Sequence, residues 1–165
     1  MSLIKLETKR LRKHIPTKAF YDTIGDTVSA GIKQKGQFKS SLDATDFSFE
    51  LSRDGRILDI EIWKPRKEWL LERALHPPEH VESGNVIVND SQQVGEDPKF
   101  LTNAERDLLY IQFSNERISR SVSPGSAVIF GLNDSDELVG LWLVGIEDDI
   151  NFEKEQVWRS QVEAR

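Results

Sequence analysis

Residues 26–63 align without gaps on residues 107–144, at a constant offset of 81 positions. Val28, Ala30 and Ile32 fall on Leu109, Ile111 and Phe113. Phe47, Phe49 and Leu51 fall on Val128, Phe130 and Leu132. Leu58, Ile60 and Ile62 fall on Val139, Leu141 and Leu143. Only four of the 38 pairs are identical, so what recurs is apolar spacing. Apolar residues at every second position mark strands with one buried face. Two such sets at one spacing predict a small β unit built twice, an internal duplication with pseudo-symmetric halves.

Each set predicts three strands, at 27–34, 47–52 and 57–63 and again at 108–114, 127–132 and 138–144. Asp54-Gly55 is a hairpin signal, because glycine takes positive φ without steric cost. A helix is expected from Pro65 to His76, with Trp69, Leu70, Arg73 and Ala74 on one face and Pro77-Pro78 as its stop. Residues 77–101 read as a connection with turn signals, in which 85–88 add one short strand. A second helix is expected from Asn151, its cap, to Arg165, anchored by Trp158 and Val162. The resulting fold class is α+β: one domain of two antiparallel three-stranded β-meanders, each followed by a helix (20–76 and 102–165). Closure of the six strands into a barrel would remove their edges.

With 165 residues the chain can bury a core without staples. It has no cysteine, which excludes disulfides, thiolate metal sites and a cysteine nucleophile. It holds no apolar run that would span a bilayer and no signal-peptide pattern, so a cytoplasmic location is expected. The net charge of −6 divides unevenly, +4 over residues 1–70 and −10 over 71–165. The basic excess is an N-terminal arm of Lys5, Lys9, Arg10, Arg12, Lys13 and Lys18. Such an arm can hold phosphates through counterion release. No aromatic or glycine pattern of a nucleic-acid module accompanies it, so a nucleic-acid partner is not the leading expectation.

Tyr21-Asp22-Thr23-Ile24-Gly25-Asp26 reads YDxxxD, and residues 54–62 read DGRILDIEI. Over residues 20–63 these motifs resemble a family of very small bacterial proteins of unknown function. That family opens on a YDxxxD strand and closes on a DGR hairpin. The second copy keeps Asp107-Leu108-Leu109-Tyr110-Ile111 and loses the leading tyrosine, the DGR turn and the IEI. The resemblance implies a β-meander with a trailing helix that often self-associates. It implies no activity.

Few residues offer chemistry. Asp59 and Glu61 lie two apart on one strand, about 7 Å apart on one face. With Asp22 and Asp26 they form a candidate carboxylate cluster for acid–base work or a divalent cation. The second copy has Gly140 and Trp142 at the matching positions, which favours a solvated face instead. His76, Glu79 and His80 sit around Pro77-Pro78, which breaks the helical geometry a shared metal needs. His14 has no evident partner. No phosphate loop, nucleophile elbow or zinc spacing is present, and no cofactor is expected. Leu108, Tyr110, Ile129 and Trp142 lie opposite the main apolar row of the second unit, where the first unit has Thr27, Ser29, Ser48 and Glu61. A strand that is apolar on both faces is normally covered on both. The cover is either the chain's own loops or a partner subunit. The leading expectation is therefore a non-catalytic protein-binding or regulatory protein acting through an oligomeric, dimeric interface. A carboxylate-based metal-dependent or hydrolytic enzyme comes second, and nucleic-acid binding by the arm third.

Overall fold

A computed structural model describes residues 4–89 and 97–161 of the chain. Its strands are β1 (Leu6–Arg10), β2 (Thr17–Asp22), β3 (Thr27–Ile32), β4 (Phe38–Asp43), β5 (Phe47–Ser52), β6 (Ile57–Ile62) and β7 (Leu70–Leu71). They continue as β8 (Glu82–Val88), β9 (Lys99–Thr102), β10 (Leu108–Gln112), β11 (Arg120–Gly125), β12 (Val128–Leu132), β13 (Leu138–Val144) and β14 (Glu147–Asp149). One helix, α1 (Glu153–Gln161), follows. The strands form two mixed sheets, ordered β1-β8-β11-β12-β13-β10-β9-β7 and β14-β2-β3-β6-β5-β4.

This corrects the expected α+β class. The protein is mostly β, and the two meander-plus-helix units are absent. In both sheets the third predicted strand lies between the other two, giving β3-β6-β5 and β10-β13-β12 where a meander would run in sequence order. Among the described strands both sheets are open, and no barrel closes. Pairing register nevertheless recurs at the 81-residue spacing. Val28 faces Ile62 and Phe49 faces Ile60, while Leu109 faces Leu143 and Phe130 faces Leu141. Each third strand also carries one extra residue, Leu58 and Val139, at the shift between the pairs Glu50/Asp59 and Leu51/Ile57 and their counterparts. That bulge turns Ile57 into the core and leaves Leu58 half-buried.

The helix expected at 65–76 does not form. Pro65 is extended, with ψ at 139°, and only a 3₁₀ turn, Arg66–Glu68, follows. Trp69 is drawn inward against Tyr21, with ring centroids 6.2 Å apart, and its indole donates to the Lys64 carbonyl. Leu70 and Leu71 then pair in parallel with Leu101 and Thr102. A twelve-residue helix with few buried positions is marginal by itself, and β9 offers its backbone groups instead. The C-terminal helix does form, but Asp149 caps it, accepting N–H bonds from Ile150, Lys154 and Glu155. Val162 lies outside the described residues. The expected connection at 77–101 holds all of β8 and most of β9.

Chain exchange ties the sheets together. After β6 the chain crosses to lay β7 beside β9, and after β13 it crosses back to lay β14 beside β2. One apolar core runs between the sheets. It includes Phe47 and Phe49 from one and Phe130, Leu141 and Leu143 from the other, and Phe47 meets Phe113 edge-on at 5.3 Å. Each such side chain contributes roughly 1.5–3 kcal/mol on burial. Buried Gln34 accepts from Asn85 and donates to the Ile57 carbonyl, fixing β8 to the end of β3 and to β6. Among the described residues, no helix is long and apolar enough to cross a membrane.

Candidate functional site

The four carboxylates singled out in the sequence do not converge. Asp22 and Asp26 hold the β2–β3 turn. Asp22 accepts from the Gly25 and Asn151 amides, at 2.9 and 2.7 Å. Asp26 accepts the Tyr21 hydroxyl at 2.5 Å and the Arg66 amide at 3.1 Å. The Tyr21 bond holds the Asp26 carboxyl below its ordinary range. Burial, and then the same bond, pushes the Tyr21 phenol up to about 12. The Arg66 guanidinium lies 4.2 Å from the Tyr21 ring centroid and pairs with Asp148. The YDxxxD motif therefore serves as a clamp on the 65–69 segment.

Asp59 and Glu61 lie on the outer face of the six-stranded sheet, beneath α1. Asp59 pairs with Arg159, which also meets Glu155, and Glu50 is the cross-strand neighbour of Asp59. Burial raises the Glu50, Asp59 and Glu61 carboxyls above their ordinary values, against the opposing pull of Arg159. Trp158 rests in the notch left by Gly31, where a Cβ would come within 2.8 Å of its ring. Among the described residues, no group of three acidic or histidine side chains is arranged to hold a metal.

On the outer face of the eight-stranded sheet, Leu108, Ile129 and Trp142 are buried within the chain itself. Leu75, Tyr110, Ile118 and Val144 pack around them. Tyr110 stacks on Trp142 at 4.3 Å and lies over Gly140, where a Cβ would fall 2.3 Å from its hydroxyl. Among the described residues, the buried Trp142 indole N–H has no partner. The residues named as an interface are thus mainly an intrachain satellite core.

The basic arm is largely edge structure. Lys9 and Arg10 belong to β1, Lys5 forms a backbone β-bridge with Glu137, and the Lys18 side chain on β2 pairs with Glu147 at 2.9 Å. Arg12, Lys13 and His14 are exposed in the following loop. His76, Glu79 and His80 lie exposed in an irregular segment.

The most unusual local geometry lies elsewhere, where β14 passes into α1. Asn151 and Phe152 are consecutive left-handed residues, with φ of 54° and 62°. For a bulky side chain this conformation is an outlier that persists only when its surroundings enforce it. The enforcing bonds are the Asp149 cap, the Asn151 amide to Asp22, and the Thr23 amide to the Asp149 carbonyl at 3.0 Å. They hold Ile24 on the β2–β3 turn and Ile150 and Phe152 on the junction at one corner of the fold. These three are 69%, 59% and 38% exposed. A cleft of about 330 Å³ opens beside Ile150, lined also by Thr23, Asp148, Asp149, Glu153 and Lys154. Sequence reasoning missed this corner, because Ile24, Ile150 and Phe152 are isolated apolar residues with no period. Their sole hint was placement in segments otherwise rich in polar turn residues.

No family model matches the chain, and a search of curated proteins finds no relative.

Proposed function

We propose that this chain is a non-catalytic binding module that takes a partner protein at the Ile24–Ile150–Phe152 corner. The observation that carries this reading is the exposure of Ile24, Ile150 and Phe152, with Phe152 held on left-handed backbone. Folding normally relaxes such a turn or turns its phenylalanine inward, and strain of this kind concentrates at functional positions. Of the four carboxylates that would serve a hydrolytic or metal-dependent mechanism, Asp22, Asp26 and Asp59 are instead engaged in a turn, a clamp and an ion pair.

Panning a random peptide display library on the immobilised full chain tests this reading. Selected peptides are expected to rebind the native chain and to lose at least about tenfold in affinity on an Ile24→Ser/Ile150→Ser variant, about 1.4 kcal/mol. Failure to enrich any peptide, or equal binding to the variant, overturns the reading. Both residues are exposed, so the variant is expected to fold.

A further inference from the structure

We infer that residues 9–14 and the cleft beside them form a second binding site, which takes the phosphate backbone of duplex nucleic acid without reading its sequence. This site is separate from the Ile24–Ile150–Phe152 corner and does not depend on it. Residues 9–14 hold Lys9, Arg10, Arg12 and Lys13 and no acid. The fold divides the basic arm around them. Lys18 is engaged by Glu147, and Lys5 is tied through its backbone to Glu137. Lys9, Arg10, Arg12 and Lys13 stay exposed, and among the described residues none of them lies in an ion pair. Strand pairing explains the cleft. β8 runs beside β11 at Glu82 and Ser83, then pairs with β1 from Gly84 to Val88. A cleft of about 640 Å³ opens at this change of partner, between Lys9 and Arg10 on one side and Arg120 on the other. Among the described residues, Glu82 is the one acid that lines it. Arg120 binds Glu82 at 3.0 Å, Asp136 at 3.2 Å and the Thr8 hydroxyl at 2.7 Å. One guanidinium therefore holds both nearby acids, and five cations stand against two carboxylates. Glu7 belongs to a separate cleft, which Lys9 shares with Lys39 and Arg53.

Charge of one sign spread along a run suits a ligand whose charges repeat, and phosphodiester backbones bind such cations through counterion release. Two features narrow the class further. No aromatic side chain among the described residues lines the cleft, so unstacked bases find no platform of the kind that single-strand binding uses. Leu11 packs on the core, so the run presents no apolar anchor to a lipid surface. Contacts to phosphates alone carry no sequence information.

Fluorescence anisotropy of the full chain with a labelled DNA duplex tests the site. Binding is expected at low salt, with log affinity falling on log salt at a slope of about −3 to −4, as four phosphate contacts give. Lys9→Gln/Arg10→Gln/Arg12→Gln/Lys13→Gln should weaken binding at least about tenfold, and Arg12→Gln/Lys13→Gln should lower the slope by about 2. The replaced side chains are exposed, so both variants are expected to keep the native melting temperature. Ile24→Ser/Ile150→Ser should bind the duplex as the native chain does, which separates this site from the corner. No binding of the duplex at low salt, undiminished binding by the fourfold variant, or loss of binding on Ile24→Ser/Ile150→Ser overturns the site. Tighter binding to a single strand of the same sequence, or binding to phosphatidylserine vesicles alone, overturns the assignment to a duplex.

Discussion

At positions 81 residues apart, the outer face of the six-stranded sheet holds Ser29, Glu50, Asp59 and Glu61 where the eight-stranded sheet holds Tyr110, Gly131, Gly140 and Trp142. The backbone frame beneath them is shared, down to the bulge in the third strand. The covers differ accordingly. The polar face takes the one helix of the described chain, seated by Trp158 in the Gly31 notch and by the Asp59–Arg159 pair. The apolar face closes on itself, with Leu75 and Ile118 packed around a Tyr110–Trp142 stack. Two sheets with the same central strand pairing therefore carry different covers, an apolar satellite core and a charged, helix-covered layer, each matched to its outward-facing residues.

Exchanging those residues should break the comparison in an unequal way. Trp142→Glu puts a carboxylate into a cluster with no cation and is expected to destabilise the fold by about 4 kcal/mol or more, through lost packing and an unpaired buried charge. Glu61→Trp, the reverse exchange, lies on a half-buried surface and should cost about 1 kcal/mol or less. Urea unfolding of both variants measures the difference. Similar losses for the two would show that both covers depend on the same kind of packing.

The apolar rows made the central three strands of each sheet legible, because period-two alternation is set by burial on one side. Strand order was not legible. A meander and the observed arrangement place the same residues inward, and only the connections distinguish them. The edge strands escaped for a related reason. β4 reads FKSSLD and buries Leu42 alone, and β14 reads EDD. Such strands exist because a neighbouring strand offers unpaired backbone groups, which no side-chain pattern records. Their shortness, charge and, in β4, a bulge protect these edges from further pairing. The helix at 65–76 failed on the same principle, as β9 claimed Leu70 and Leu71. Asp22, Asp26, Asp59 and Glu61 were grouped as one candidate cluster, and the fold divides them between the β2–β3 turn and the sheet face beneath α1. The sequence could not separate carboxylates that hold turns from carboxylates beneath a helix.

A smaller change should separate the two covers without unfolding either sheet. Gly31→Val places side-chain atoms where Trp158 and Arg159 lie. The helix can lift away, so the global loss is expected at the low end of overpacking effects, about 1 kcal/mol. The main consequence should be faster hydrogen exchange at the α1 amides, with β10, β12 and β13 unchanged. Slowed exchange across the eight-stranded sheet would be matched by no contact at Gly31, and an unaffected helix would show that the Trp158 seat is not what holds it.

Acid and base should act on the two covers differently, and this is the finest test of the contrast. Beneath α1, Glu155 is buried facing Asp59 and Arg159, with Glu50 and Glu61 alongside and the Lys33 ammonium on the Arg159 carbonyl. Burial raises Glu50, Asp59 and Glu61 above their unfolded values. Groups raised in this way stabilise the docked helix fully below their unfolded pKa, and that contribution is lost as pH rises through the folded values. The cap acts in the opposite sense. Burial alone would raise Asp149, but three backbone N–H donors outweigh it and hold the carboxyl below its ordinary range. Its contribution is present above the unfolded pKa and lost as pH falls through the folded one. Protection of the α1 amides, corrected for intrinsic exchange, should therefore peak near the ordinary carboxylate range, about pH 4–5, and decline toward pH 7.5. Glu61→Gln should remove part of that decline and raise protection at pH 7.5 by less than about tenfold, the equivalent of one pKa unit. The opposite cover holds no carboxylate in its apolar cluster, and burial pushes the Tyr110 phenol up to about 12. Exchange in β10 and β13 should stay flat across the same window. Protection of α1 that rises steadily toward pH 7.5, or a Glu61→Gln variant that exchanges faster there, would mean that the charged layer holds the helix by attraction alone.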